Sequence, residues 1–114
     1  MASIYKIVTQ SEWREAEEEG LFRGAPVDLA DGFIHFSTAA QVAETTAKHF
    51  AGKNDLLLVS VDAAALGADL KYEVSRGGAL FPHLYADLPL SAVLWAKPMP
   101  LGADGVHSLP AMDR

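Results

Sequence analysis

The sequence predicts an α+β fold with mainly antiparallel strand pairing, and three observations carry that expectation. Short apolar or alternating runs suited to strands outnumber helical stripes. The helical stripes, residues 11–19 and 38–51, both fall early instead of alternating with strands as a doubly wound sheet requires. Gly and Pro punctuate the chain singly and gather only in the tail, so nothing reads as a linker. With 114 residues the chain has the common length of a single domain, about 100–150 residues. Residues 1–114 are therefore expected to form one domain, with a core over about 3–100 and a tail, 101–114, that hangs loose or lies along the surface.

Ile4-Tyr5-Lys6-Ile7-Val8 is β-branched and aromatic, which predicts a first strand with Tyr5 and Ile7 on one face. Thr9-Gln10-Ser11-Glu12 has the spacing of a capping box, so a helix should follow and end at Gly20, with Trp13 and Ala16 inward. Residues 23–32 carry turn chemistry at both ends and read as a loop. Phe33 to Ser37 reads as a short strand, with Phe33, His35 and Ser37 on one face and Ile34 and Phe36 on the other. Ser37 or Thr38 then caps a helix whose stripe of Ala39, Val42, Ala43, Thr46, Ala47 and Phe50 should be buried. Leu56 to Val61 is a continuous apolar strand, expected to be buried on both faces. Leu70 to Ser75 alternates, which puts Lys71, Glu73 and Ser75 on one face before Gly77-Gly78 breaks the strand. Pro82 should restrict Phe81 to Tyr85 to an edge or a bend. Leu90 to Met99, carrying Trp95, reads as the last strand.

Composition excludes several functions. Nine Lys and Arg against fifteen Asp and Glu give a net charge of −6, so no general basic surface is available for nucleic acid. Without cysteine there is no disulfide scaffold, thiol nucleophile or Cys-type zinc site. No apolar stretch approaches the roughly 18 residues of a membrane span, and the start lacks a secretory pattern, so the expected compartment is the cytoplasm. There is no G-x-S-x-G elbow, no G-x-x-x-x-G-K-[ST] loop and no G-x-G-x-x-G turn.

His35 stands in an apolar strand just before a helix start, a setting that either holds an anionic group or buries a histidine satisfied by a carbonyl. His83 and Tyr85 project from one side of an extended segment, where they either position a polar substrate or seal a core edge. Glu73 ends a strand beside a glycine turn, within reach of a ligand. His49 reads as a helix-end residue favoured by the dipole, and His107 lies in the Gly/Pro tail. His35, His83 and Glu73 would supply a zinc ligand set, but no H-E-x-x-H-like spacing accompanies them, so no metal is expected.

The segments Ile4-Tyr5-Lys6-Ile7, Trp13, Asp31-Gly32-Phe33-Ile34-His35-Phe36-Ser37-Thr38 with Gln41, Tyr72-Glu73 and Phe81-Pro82-His83-Leu84-Tyr85 together resemble the bacterial family called domain of unknown function 952. The resemblance covers about residues 3–100. It implies an ADP-ribosylation-like fold distantly similar to the RNA 2′-phosphotransferases, with two small antiparallel-rich sheets forming a cleft for NAD or an ADP-ribosylated intermediate. Ile34-His35-Phe36-Ser37 and Leu58-Val59-Ser60-Val61-Asp62-Ala63 fall in the order of that pattern. Lys6 stands where the phosphotransferases have their first histidine, and Ile7-Val8 replace a small Gly-Thr pair. Lys6 can still meet a phosphate as a point charge.

The resemblance thus implies an ADP-ribosyl or phosphoryl transferase, or an NAD glycohydrolase. His35, His83 and Glu73 would be catalytic, and Lys6, Ser37, Thr38, Gln41, Arg76 and Tyr85 would bind the ligand. Two other readings stand beside it: a module that binds a nucleotide or phosphorylated small molecule without turnover, and an interaction protein whose pocket residues are structural. What separates them is whether these side chains converge on one concave pocket.

Overall fold

The computed structural model describes residues 2–112, and for Arg76 the backbone alone. Three strands form one antiparallel sheet: β1 (Ser3–Thr9), β4 (Leu56–Asp62) and β8 (Val93–Pro98), in the order β1-β4-β8. A second antiparallel sheet contains β3 (Ile34–His35), β5 (Leu70–Val74) and β6 (Leu80–Leu84), in the order β3-β6-β5. The two-residue strands β2 (Leu21–Phe22) and β7 (Leu88–Pro89) pair separately. Among the described residues, no helix is long and apolar enough to cross a membrane.

The central strand β4 is covered on both faces, as a run that is apolar but for Ser60 requires. One face of the first sheet packs Ile4, Val8, Val59 and Val61 with Trp13, Ile34, Phe36 and Leu84. The opposite face packs Tyr5, Ile7, Leu56 and Leu58 with Val42 and Met99. The tail lies along this second face: Leu109 and Met112 pack against it, and His107 hydrogen-bonds the Lys53 carbonyl.

Helix α1 (Gln10–Glu19) starts as its sequence predicts. The Glu12 N–H donates to Thr9 Oγ1 at 3.1 Å and the Thr9 N–H to Glu12 Oε1 at 2.8 Å. Gly20 ends the helix at φ +82°, a left-handed conformation that costs glycine nothing.

Several elements depart from expectation. Residues 23–32 are not all loop: Pro26–Asp31 forms a short helix, α2, with Pro26 in the first turn and Gly32 closing it. The helix expected over 38–51 is α3 (Val42–His49). Neither Ser37 nor Thr38 caps it. Gln41 instead folds back, accepting from the Thr38 N–H at 3.0 Å and donating to the Leu80 carbonyl at 2.8 Å, so residues 38–41 make a turn. Of the expected stripe, Val42 and Thr46 are buried, Ala39 and Phe50 are half-buried, and Ala43 and Ala47 face solvent. Two turns of helix bury only a narrow stripe against a sheet.

The stretch 33–37 narrows to a two-residue ladder plus one bridge, Tyr5 to Ser37, whose two bonds are both 2.8 Å. That bridge ties the edge of the first sheet to the second. The last strand starts at Val93, after a 3-10 turn at Leu90–Ala92. β6 is the middle strand of its sheet despite Pro82. In a strand the N and O of one residue point to the same side. The Pro82 carbonyl accepts from the Phe36 N–H at 2.9 Å, so its missing donor faces the side where β3 has already ended at His35.

Two substitutions check this packing. Leu58→Ala, at a fully buried site, should cost about 2–5 kcal/mol in a urea melt. Ala43→Lys, on the solvent side of α3, should change stability by less than about 0.5 kcal/mol.

Candidate functional site

A cleft of about 630 Å³ opens between β1 and the β3-β6 pair, a size suited to a small-molecule ligand. Lys6, His35, Ser37 and His83 line it, with Glu12, Asp31, His49, Lys53 and Ser75.

Its framework is Asp28, in the third position of α2. Pro26 sets the first turn of this helix, and the Ala25 N–H donates to Asp28 Oδ2 at 2.7 Å, as an N3 acidic residue does in a capped helix. Lys6 Nζ lies 3.0 Å from Oδ1 and 2.9 Å from Oδ2. The His35 N–H donates to Oδ1 at 3.1 Å, and His35 Nδ1 lies 2.6 Å from the same oxygen. Asp28 is 2% exposed. Gly24 makes this approach possible: at φ +127°, a Cβ there would sit 2.9 Å from the Cβ of Asp28.

Burial alone would raise the Asp28 carboxyl. The His35 hydrogen bond, the Lys6 charge and the bonds from Lys6 and Ala25 more than reverse this, holding it at about 2. Burial lowers the Lys6 ammonium, which the Asp28 charge and hydrogen bond partly restore.

His35 and His83 are directly paired across β3 and β6, with ring centroids 5.5 Å apart. His83 Nδ1 lies 2.8 Å from Glu73 Oε1, and the Tyr85 hydroxyl donates to that oxygen at 2.7 Å. Glu73 reaches His83 because the two sit diagonally across the β5-β6 ladder. The Tyr85 and then the His83 hydrogen bonds hold the Glu73 carboxyl below its usual range, and Glu73 in turn raises the Tyr85 phenol. Phe33 packs between the groups, its ring centroid 4.5 Å from His35, 4.2 Å from His83 and 5.2 Å from Tyr85. Each histidine is therefore held at Nδ1 by its own carboxylate, an arrangement that fixes ring orientation and proton position.

Comparison with known proteins matches residues 7–96 to the family described as "Protein of unknown function (DUF952)". The chain belongs to this family. It is similar to the crystal structure of protein CC0527 from Caulobacter crescentus, with 52% identity, a TM-score of 0.89 and 93% of each chain covered. The solution NMR structure of CC0527 gives 53% identity and a TM-score of 0.83 over 93% of this chain and 91% of that one. No curated protein matches the chain.

In this DUF952 member, the structure brings together His35, His83, Glu73 and Tyr85, while Ser37 lies on the cleft wall with its hydroxyl 3.1 Å from Thr45 Oγ1. Lys6 lines the cleft, but Asp28 engages its ammonium with both oxygens, so it is not the open phosphate contact expected. Thr38 and Gln41 do not join the cluster; the Thr38 N–H and the Gln41 amide are used to build the turn before α3. The Arg76 side chain lies outside the described residues. Among the described residues, no three His, Asp or Glu side chains are grouped to hold a metal ion. Sequence reasoning missed Asp28 and Asp31. The spacing of Pro26 and Gly32 was the signal for the helix that carries them.

The depressed Asp28 value gives a pH dependence. Its stabilising contribution, about 2 kcal/mol, is full above the unfolded value of 3.8 and is lost as the pH falls through about 2. Asp28→Asn should flatten that acid limb. It should also cost about 3–5 kcal/mol at neutral pH, because it leaves the Lys6 ammonium buried without its counter-charge. Adding Lys6→Met should recover part of that loss in a urea-melt cycle.

Proposed function

We propose that the cleft binds a small molecule bearing a phosphate or a ribose-like polyol, and that His35 and His83 exchange protons with it. The activity would be that of an ADP-ribose-related transferase or glycohydrolase. The observation that carries this reading is the pair of imidazoles, 5.5 Å apart on one cleft wall, each oriented through Nδ1 by a separate carboxylate. A proton donor and a proton acceptor in one cleft are the parts that acid–base catalysis needs. Packing alone does not call for them, since buried ionisable groups are costly unless each is partnered.

The same reading assigns the fold to the ADP-ribosylation type. Its support is the cleft between two antiparallel sheets and the placement of His35 on a short strand lining it. Lys53 also lines the cleft and offers positive charge for phosphate. Breaking a ribosyl bond develops positive charge on the sugar, which the Asp31 carboxylate, on the cleft wall beside His35, would stabilise. NAD is one ligand of this class. Binding without turnover is favoured by one observation: the residue in place of the phosphotransferase histidine, Lys6, is tied to Asp28.

A thermal-shift series with ADP-ribose, NAD and ribose phosphate, each tested alone, checks the reading. A ligand at 100-fold its Kd adds about 2.7 kcal/mol of stability. His35→Ala and His83→Ala should keep the wild-type circular dichroism spectrum and lose that shift. Absence of a shift with all three ligands, or a shift that survives both substitutions, removes the proposal. Nicotinamide release from NAD separates turnover from binding alone.

A further inference from the structure

We propose that the two histidines have unequal parts, His35 giving a proton and His83 taking one. This rests on the acid–base reading of the cleft given above. The asymmetry lies in their partners. His35 Nδ1 is 2.6 Å from Asp28 Oδ1, and its Nε2 is 2.9 Å from Asp31 Oδ2. The first contact is a hydrogen bond and the second an ion-pair contact; a carboxylate oxygen only accepts, so it sits favourably against each ring nitrogen only when that nitrogen carries hydrogen. The charge balance agrees. Lys6 and a doubly protonated His35 face Asp28 and Asp31 around a carboxylate that is almost wholly buried, and Glu12 adds further negative charge near Lys6. Removing the second ring proton would leave that buried group in a net negative cluster.

His83 faces one carboxylate. Glu73 takes its Nδ1 hydrogen, and Nε2 has no partner among the described residues, while the residue itself lines the cleft. Lys71 stands opposite His83 in the ladder with its ammonium over the Tyr85 ring, and the His35 ring lies beside His83. Among the described residues Tyr85 also meets this pair, its hydroxyl directed to Glu73. His83 thus offers a lone pair at Nε2, and His35 offers a hydrogen. Asp28 and Glu73 are positioning residues.

In hydrolysis of an ester or glycosidic bond, water would lose a proton to His83 Nε2 as its oxygen bonds to the reacting phosphorus or carbon. The bond to the leaving oxygen would break as that oxygen takes the Nε2 hydrogen of His35. Asp31, about half exposed, would swing aside to open that route. One proton is gained by the pair and one is given, and exchange with water restores both rings.

Nitrogen-15 NMR of the histidine rings at neutral pH, with no ligand present, tests the assignment. The expected spectrum shows hydrogen on both nitrogens of His35 and on Nδ1 alone of His83. Asp31→Asn should cause loss of the second ring hydrogen of His35 and leave His83 unchanged. Glu73→Gln should mix the two tautomers of His83 and leave His35 unchanged. A wild-type His35 with a single ring hydrogen, a His83 with two, or an Asp31→Asn protein that keeps both on His35 overturns the proposal. The readout needs no substrate, so its failure is distinct from failure of the cleft to bind ADP-ribose.

Discussion

The carboxylate of Asp28 is closed off from solvent and still charged, and the site is organised by that fact. An isolated charge there would be expensive. It persists because donors converge on it from three segments: the Ala25 amide at the start of its own helix, the Lys6 ammonium on β1, and the amide and ring of His35 on β3. The interaction works in both directions. Lys6 in a strand buried on both faces is tolerable only with a counter-ion, and the His35 ring has a defined orientation only because its Nδ1 is engaged. Removing either partner leaves the others as uncompensated buried groups, so α2, β1 and β3 are held in one arrangement by electrostatics as well as by packing.

A second constraint places His83. β3 contributes only two ladder residues, and one of them is His35. The Tyr5–Ser37 bridge on one side and the β6 pairing on the other leave that short strand no freedom of register. A slip of one residue would turn Ile34 and Phe36 out of the core and His35 into it. Hydrophobic burial therefore fixes which side chain faces the cleft, and the ladder then delivers His83 opposite it. Phe33, half-buried against both imidazoles and Tyr85, fills the space between them. The cluster is stiff because it is packed on one side by an aromatic ring and pinned on the other by two carboxylates.

Features contained within one turn or one ladder were legible in the sequence. The Thr9–Glu12 capping box, the end of α1 at Gly20, the buried run of β4 and the alternation that put Glu73 on one face of β5 need only near neighbours, and the structure shows each of them. The facing of His35 and His83 was legible as a possibility, because strand periodicity points each side chain to a definite face. The helix at 42–49 was read too long because the competing partner of Gln41, the Leu80 carbonyl, lies 39 residues away. Pro82 read as an edge residue because sequence does not disclose where a neighbouring strand stops.

By itself, then, the sequence carried the α+β class, the elements held by near neighbours, much of the core and the strand face on which each histidine lies. Only the tertiary structure decided that Lys6 is an ion-pair partner and that Asp28 and Asp31, in a stretch that reads as turn chemistry, govern the charge around His35. The reason is the range of the forces. Hydrogen-bonded turns and side-chain periodicity act over a few residues, while the cost of burying a charge is settled by whichever partner the whole fold brings within about 3 Å.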